Sequence, residues 1–242
     1  MKVQLFIPCF VDQIYPETAF NSIKLLQKAG CEVVYNPNQT CCGELAYTAG
    51  FWDEAKELGL KFLQDFSDDC YIVSPSATCS GMVKNGYHDL FTNSTVHNRC
   101  RNVQGNMYEL SDFLVNILKK DYFGAELVGT AVYHEACAAK HLFTMKDEPR
   151  QLLEQVGGLE IIDLDENDAR CGFGSTFAVK YAEESVSMAE QRVQAALTAR
   201  ADYIISTDST CLLQLQAYID KRQLPIKTKH LADVLTSGWA NI

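Results

Sequence analysis

Three cysteine landmarks recur in this chain at nearly constant spacing. Cys9 closes VQLFIPC and Cys137 closes GTAVYHEAC, 128 residues later. Cys42 in TCCGELAYTAG and Cys171 in ARCGFGSTFAV are 129 residues apart, and Cys79 in CYIVSPSATCSGM and Cys211 in DYIISTDSTCLLQ are 132 apart. Three matching offsets imply a duplication, one unit built twice within 242 residues. YELSDFLVNIL and HLADVLTSG close the two units with similar helical patterns. The division is expected near residues 120–124, giving units 1–120 and 121–242.

Each unit alternates strand and helix signals. Short apolar runs at residues 3–7, 32–35 and 71–73 read as buried strands, as do 130–133, 160–162 and 203–205 in the second unit. Between them, residues 16–28 carry helical spacing at Phe20, Ile23, Leu25 and Leu26, with Gly30 as a stop. Residues 44–66 read as mostly helical with a weak point at Gly50, and 177–200 as one long helix. This alternation predicts two similar Rossmann-like α/β halves with parallel sheets, related by duplication and a pseudo-twofold axis. Cys9, Cys79, Cys137 and Cys211 then fall just past strand C-termini, and Cys41, Cys42 and Cys171 in the loop after another strand. Ligands of open α/β sheets gather at that edge, so each half is expected to bring its spaced cysteines to one rim.

Bulk properties narrow the chemistry. A net charge of −10 disfavours nonspecific nucleic-acid binding and adhesion to anionic membranes. The apolar stretch after Lys2 is broken by Gln4, Pro8 and Asp12, too short for a signal-peptide core, and no segment approaches a membrane span. The expected location is the cytoplasm, where disulfides are rare, so ten cysteines point to metal, cluster or redox chemistry.

Cys9, Cys41, Cys42 and Cys79 offer four thiolates, the complement of an iron–sulfur cluster or a structural zinc. The glycine after the pair is expected to let backbone approach a bulky cluster. The second set, Cys137, Cys171 and Cys211, has three, and Arg170 stands where the first half has Cys41. A guanidinium cannot ligate a metal but offsets thiolate charge. His134 and His141 flank Cys137 as candidate fourth ligands or proton donors.

A cysteine, a Cys-Cys-Gly about thirty residues on, and a cysteine-led motif after about thirty-five more resembles the cysteine-rich CCG domain. That domain occurs in duplicate in heterodisulfide reductase and in the iron–sulfur subunit of glycolate oxidase. IPCFVD, TCCGE, SATCSGMV, RCGFGSTFAVKY and DSTCL resemble its free-standing lactate-utilisation branch along nearly the whole chain. The resemblance implies an iron–sulfur electron-transfer subunit of an L-lactate oxidising complex. It would hold a 4Fe-4S cluster in the first half and act with partner subunits, the hydride being removed by a partner or by a further cofactor. The pattern departs from the family at Met82, Gln214 and Arg170, where further cysteines would stand; the five-cysteine arrangement of noncubane clusters is absent, which disfavours heterodisulfide chemistry. The second half is left with a three-cysteine cluster with one open iron, a zinc completed by histidine, or nothing.

Other features receive plainer readings. Cys31 and Cys70 begin strands and are expected in the core, and Cys100 lacks a partner at useful spacing. GFGS at residues 172–175 lacks the lysine and spacing of a phosphate loop and reads as cluster-loop geometry. The acidic run at 163–168 reads as a solvated loop. The competing function is a zinc-stabilised binding module without redox activity. A thiol–disulfide enzyme using Cys41 and Cys42 is disfavoured because adjacent cysteines close a strained ring.

Overall fold

The computed structural model describes residues 1–66, 70–92, 95–164 and 170–239. Its strands are β1 (Lys2–Leu5), β2 (Glu32–Tyr35), β3 (Tyr71–Ser74), β4 (Met107–Glu109), β5 (Glu126–Tyr133), β6 (Gly157–Ile161), β7 (Tyr203–Ser206) and β8 (Lys227–His230). They form two four-stranded sheets in the orders β2-β1-β3-β4 and β6-β5-β7-β8, every pair parallel. The two orders correspond strand for strand, as a duplicated α/β chain requires. β4 and β8 are an addition to the six strands legible in the sequence. MYE is only three residues long and KTKH has no apolar run, so neither carries a strand signal by itself.

Local chemistry explains the helices. Pro16 opens Pro16–Lys28, where its missing N–H costs nothing, and Thr18, Ser22, Leu25 and Leu26 form the buried stripe. The helical stretch at 44–66 is split at Gly50, which takes φ 86° and separates Glu44–Ala49 from Trp52–Asp65. Its counterpart at 177–200 splits at Tyr181 into Phe177–Lys180 and Ala182–Thr198.

The halves share a core. Val3, Leu5, Leu25, Phe113 and Leu114 of the first pack in one cluster with Ala131, Tyr133, Leu152, Ile205 and Leu231 of the second. The seam is reciprocal. Helix Pro16–Lys28 lies on Leu231–Val234, where Thr18 and Asn21 donate to the Asp233 carboxylate at 2.8 and 2.9 Å. Helix Glu148–Leu153 lies correspondingly on Leu110–Asp112, and Asn116 donates to Glu148 at 2.7 Å. Each half also keeps a private core on the other face of its sheet. The first is aromatic, with Phe6, Phe62, Phe66, Tyr87 and Phe91. The second is mostly small and aliphatic, with Val132, Ala136, Ala189, Val193 and Leu215.

Candidate metal centres

Both halves place their cysteines by the same local devices. Cys9 begins the helix four residues past the end of β1, and Cys137 begins a helical turn four residues past the end of β5. Phe6 N–H donates to Val73 O at 2.9 Å, and His134 N–H, at the equivalent position, donates to Ile205 O at 2.7 Å. Cys79 and Cys211 each lie five residues past β3 and β7, in helices capped by Ser76 and Asp208. Ser76 Oγ accepts from Cys79 N–H at 3.2 Å, and Asp208 Oδ1 accepts from Thr210 N–H at 3.2 Å. Each cap satisfies an orphan donor of its helix and fixes the turn that presents the cysteine.

Cys42 and Cys171 are followed by glycines in the left-handed region, Gly43 at φ 86° and Gly172 at φ 84°. A Cβ on Gly43 would stand 3.1 Å from Ala55 O, and one on Gly172 only 2.3 Å from Ser185 O. These glycines therefore let the turn press against the following helix.

The four first-half cysteines line one narrow space. The Cys9 and Cys42 thiols donate to Cys41, and Cys42 also reaches Cys79, so the sulfurs form a continuous chain of contacts. Gly43 N–H adds a donor to Cys41 Sγ at 3.3 Å. Those donors hold the Cys41 thiol down to about 3, while the donating Cys9 and the fully buried Cys42 are pushed up. Tyr87 Oη donates to Cys42 O at 2.9 Å and anchors the pair from beneath.

Cys137, Cys171 and Cys211 line an adjoining cavity of about 350 Å³ together with Arg170. Cys171 and Cys211 sulfurs are 3.1 Å apart. The Cys211 thiol donating to it, with His134 alongside, holds Cys171 down to about 5. Burial pushes Cys137 up, against the pull of Arg170. Ligand atoms of His134, Cys171 and Cys211 all lie within 4.8 Å of one another. Neither histidine lines the cavity itself: His134 is buried beside Cys171 and Cys211, whereas His141 is exposed on a π-helical turn.

Glu44, Thr78 and Thr210 line both spaces, so the two cysteine sets are neighbours. Asp208, fully buried, joins them: its Oδ2 accepts from Thr78 N–H at 2.9 Å and from Ser76 Oγ at 3.3 Å. Glu44 accepts from Ser175 Oγ at 3.1 Å, and burial raises its carboxyl. Sequence reasoning did not single out Ser76, Asp208, Glu44 or Arg192. Ser76 and Asp208 had a usable signal, a capping residue three positions before each cysteine. Arg192 falls on the apolar stripe of its helix, between Ala189 and Val193.

The residues that break the cysteine pattern have other work. Met82 is buried in the aromatic core. Gln214 donates to Ser185 Oγ at 2.8 Å, which donates to Gly172 O at 2.8 Å and ties down the cysteine loop. Cys31 and Cys100 are core residues, whereas Cys70 is half-buried before β3. No disulfide links cysteines among the described residues. Asp163 pairs with Arg150 at an exposed position, and positions 165–168 of the acidic run lie outside the described residues. Among the described residues no helix is long and apolar enough to cross a membrane.

A family model described as a cysteine-rich domain, CCG, matches residues 3–84 and again 131–216. Lactate utilization protein A of Geobacillus kaustophilus (strain HTA426) is 38% identical over 98% of this chain and 99% of its own length. The protein of the same name from Geobacillus thermodenitrificans (strain NG80-2) is 36% identical over 97% of this chain and 98% of its own length. A crystal structure of a hypothetical protein from Helicobacter pylori matches 99% of this chain and 49% of its own, with a TM-score of 0.57 and 10% identity, a likeness of fold.

Proposed function

The chain belongs to the CCG cysteine-rich domain family, with the domain present twice, and from that premise we propose that it is an iron–sulfur electron-transfer subunit of an L-lactate oxidising complex. The observation that carries the proposal is the convergence of Cys9, Cys41, Cys42 and Cys79 from separate segments into one chain of sulfur contacts. Four thiolates are the donor set of a 4Fe-4S cluster. Such a cluster supplies one-electron transfer. This chain's part is to hold it at the rim, cover it from below with Phe6, Phe62 and Tyr87, and set its charge. The lactate assignment rests on relatives named for lactate utilization that match this chain from end to end. Hydride removal from lactate falls to partner subunits in the cytoplasm, and units 1–120 and 121–242 each contribute one centre.

Cys137, Cys171 and Cys211 form the second centre, close enough to the first to share Glu44, Thr78 and Thr210 as walls. The compact His134–Cys171–Cys211 group favours a second reading for this half, a single zinc ion that serves structure. Anaerobic purification followed by iron, sulfide and zinc analysis and electron paramagnetic resonance tests both. The proposal expects a brown protein with iron and acid-labile sulfide, reducible in the presence of its lactate-oxidising partners. A colourless protein containing zinc alone would replace it with the binding-module reading.

A further inference from the structure

Overlaying the halves by their equivalent positions exposes a paired exchange beneath the cysteines. Gly43 abuts Ala55 and Leu58, and Gly172 abuts Ser185 and Met188, so helix Trp52–Asp65 maps onto Ala182–Thr198 with an offset of 130 residues. The buried positions agree: Ala55, Phe62 and Leu63 on one side, Ser185, Arg192 and Val193 on the other. Phe62 therefore corresponds to Arg192. Phe6 corresponds to His134 by the matching backbone bonds that follow β1 and β5. In the first half Phe6 and Phe62 meet edge to face at 4.9 Å. In the second half a histidine and an arginine hold those two places, 1% and 2% exposed.

Such an exchange is costly unless the polar groups are satisfied. Arg192 Nη2 donates to Tyr133 O at 2.8 Å, but its Nε and Nη1 have no partner, and the ring of His134 has none beyond the Cys171 sulfur beside it. The atoms these groups face are sulfurs. His134 has both Cys171 and Cys211 within 4.8 Å, and the charge of Arg192 is felt at the same two thiols. Meanwhile the rim position of Cys41 has become Arg170, which cannot ligate. The second half thus loses a ligand at the rim and gains a buried one underneath.

We propose that His134 is the fourth ligand of the second centre, giving it the donor set His134, Cys137, Cys171 and Cys211, with Arg192 as the buried counter-charge. The proposal rests on the reading above that the second cysteine set binds metal. An imidazole in place of a thiolate removes one negative charge, so an iron–sulfur cluster here is easier to reduce than the first, and electrons entering the pair settle in the second half. A zinc ion would be offered three thiolates and one imidazole, a donor set suited to it.

The experiment uses the full chain carrying Cys42→Ser, which removes a first-centre ligand and leaves the second set intact. Its residual metal is measured alone and with His134→Ala or His134→Cys added. Nitrogen ligation is read by pulsed electron paramagnetic resonance if the metal is iron, or by X-ray absorption if it is zinc. The proposal expects about one centre per chain in Cys42→Ser, with a directly bound nitrogen. His134→Ala should lower that metal at least tenfold; His134→Cys should keep the metal and lose the nitrogen. Far-ultraviolet circular dichroism guards against simple unfolding, and His134→Cys answers the question even if His134→Ala does not fold. Unchanged metal in His134→Ala, a nitrogen signal that survives His134→Cys, or no metal in Cys42→Ser would each overturn the proposal. Failure of the electron-transfer reading looks different: Cys42→Ser would then leave wild-type iron unchanged, or wild-type protein would contain no iron.

Discussion

The first half backs its four cysteines with aromatic rings, and the second backs its three with a histidine and an arginine. The backbone frame that positions the sulfurs is nonetheless held in common. The strand order, the four-residue and five-residue intervals after the strands, the capping residues and the positive-φ glycine all repeat. Duplication has thus kept geometry and released charge. Phe6 and Phe62 surround a thiolate-rich site with a low-dielectric wall, whereas His134, Arg192 and Arg170 bring donors and positive charge to the other. The two spaces differ in size as well, about 20 Å³ at the first set and about 350 Å³ at the second. Exposure differs in the opposite sense: Cys9, Cys41 and Cys79 are half-buried at the first set, whereas Cys171 and Cys211 are buried at the second.

The sharpest way to break this comparison is to remove one cysteine from each half. Cys42→Ser should abolish metal binding in the first half and spare the second, and Cys171→Ser the reverse, each seen as loss of about half the bound metal in a protein with both centres filled. Equal loss of everything in both variants would mean a single shared centre, and the two-site description would go.

A second contrast concerns protons. Glu109 and His230 hold equivalent places as the last residues of β4 and β8, each capping the helix that follows. Glu109 Oε2 accepts from Ser111 N–H at 2.6 Å, but its Oε1 is buried without a partner, and burial raises the carboxyl to about 8. The folded state then holds a proton that the unfolded chain releases near 4.5, so this stability is complete below that pH and is lost as pH rises to about 8. On the order of 4 kcal/mol is at stake between pH 5 and 8. His230 runs the other way. Its Nδ1 accepts from Ala232 N–H and its Nε2 donates to Pro75 O, both at 3.1 Å, and burial lowers its pKa below 6.5. The imidazole must stay neutral, so its stability is lost as pH falls below 6.5. Thermal melts from pH 5 to 8 should find Glu109→Gln much flatter than wild type on the alkaline side. A variant that loses stability with rising pH as steeply as wild type would remove Glu109 as the source.

The two glycine turns offer a smaller test. Gly172→Ala should cost about 3 kcal/mol or more, because positive φ is compounded by a backbone oxygen 2.3 Å from the new Cβ. Gly43→Ala, with 3.1 Å available, should cost about 1–2 kcal/mol. Urea midpoints check the order, and the reverse ranking would show that the second loop is the looser of the two. The smallest effect belongs to Tyr87→Phe. Losing the hydrogen bond to Cys42 O should cost about 1 kcal/mol and leave the second half's metal untouched.

Much of the plan was legible because the cysteines serve as fixed marks. Their offsets revealed the duplication, and the apolar runs beside them revealed three of the four strands in each half. The remaining strands, β4 and β8, were not legible. MYE buries Met107 and Glu109 but is too short to show a period, and KTKH has no apolar residue, so neither leaves a strand signal. Of the site, the cysteines and Arg170 could be read from spacing, and both histidine candidates came from proximity to Cys137. Only the fold separates them: His134 follows β5 into the interior, while His141 lies on an exposed turn.

What the amino-acid sequence determined by itself was the repeat, the parallel α/β plan and the residues able to bind metal, since each rests on local periodicity or spacing. What only the tertiary structure decided was how the halves lean on each other and what stands behind each set of sulfurs. Asp208 joins the two sites by capping a helix from the opposite half, 130 residues away in sequence. Phe62 and Arg192 acquire opposite roles at one structural position because burial beside thiols makes a ring an insulator and a guanidinium a counter-charge. Those are energies of long-range contact, and a linear pattern records only the residues that will later meet.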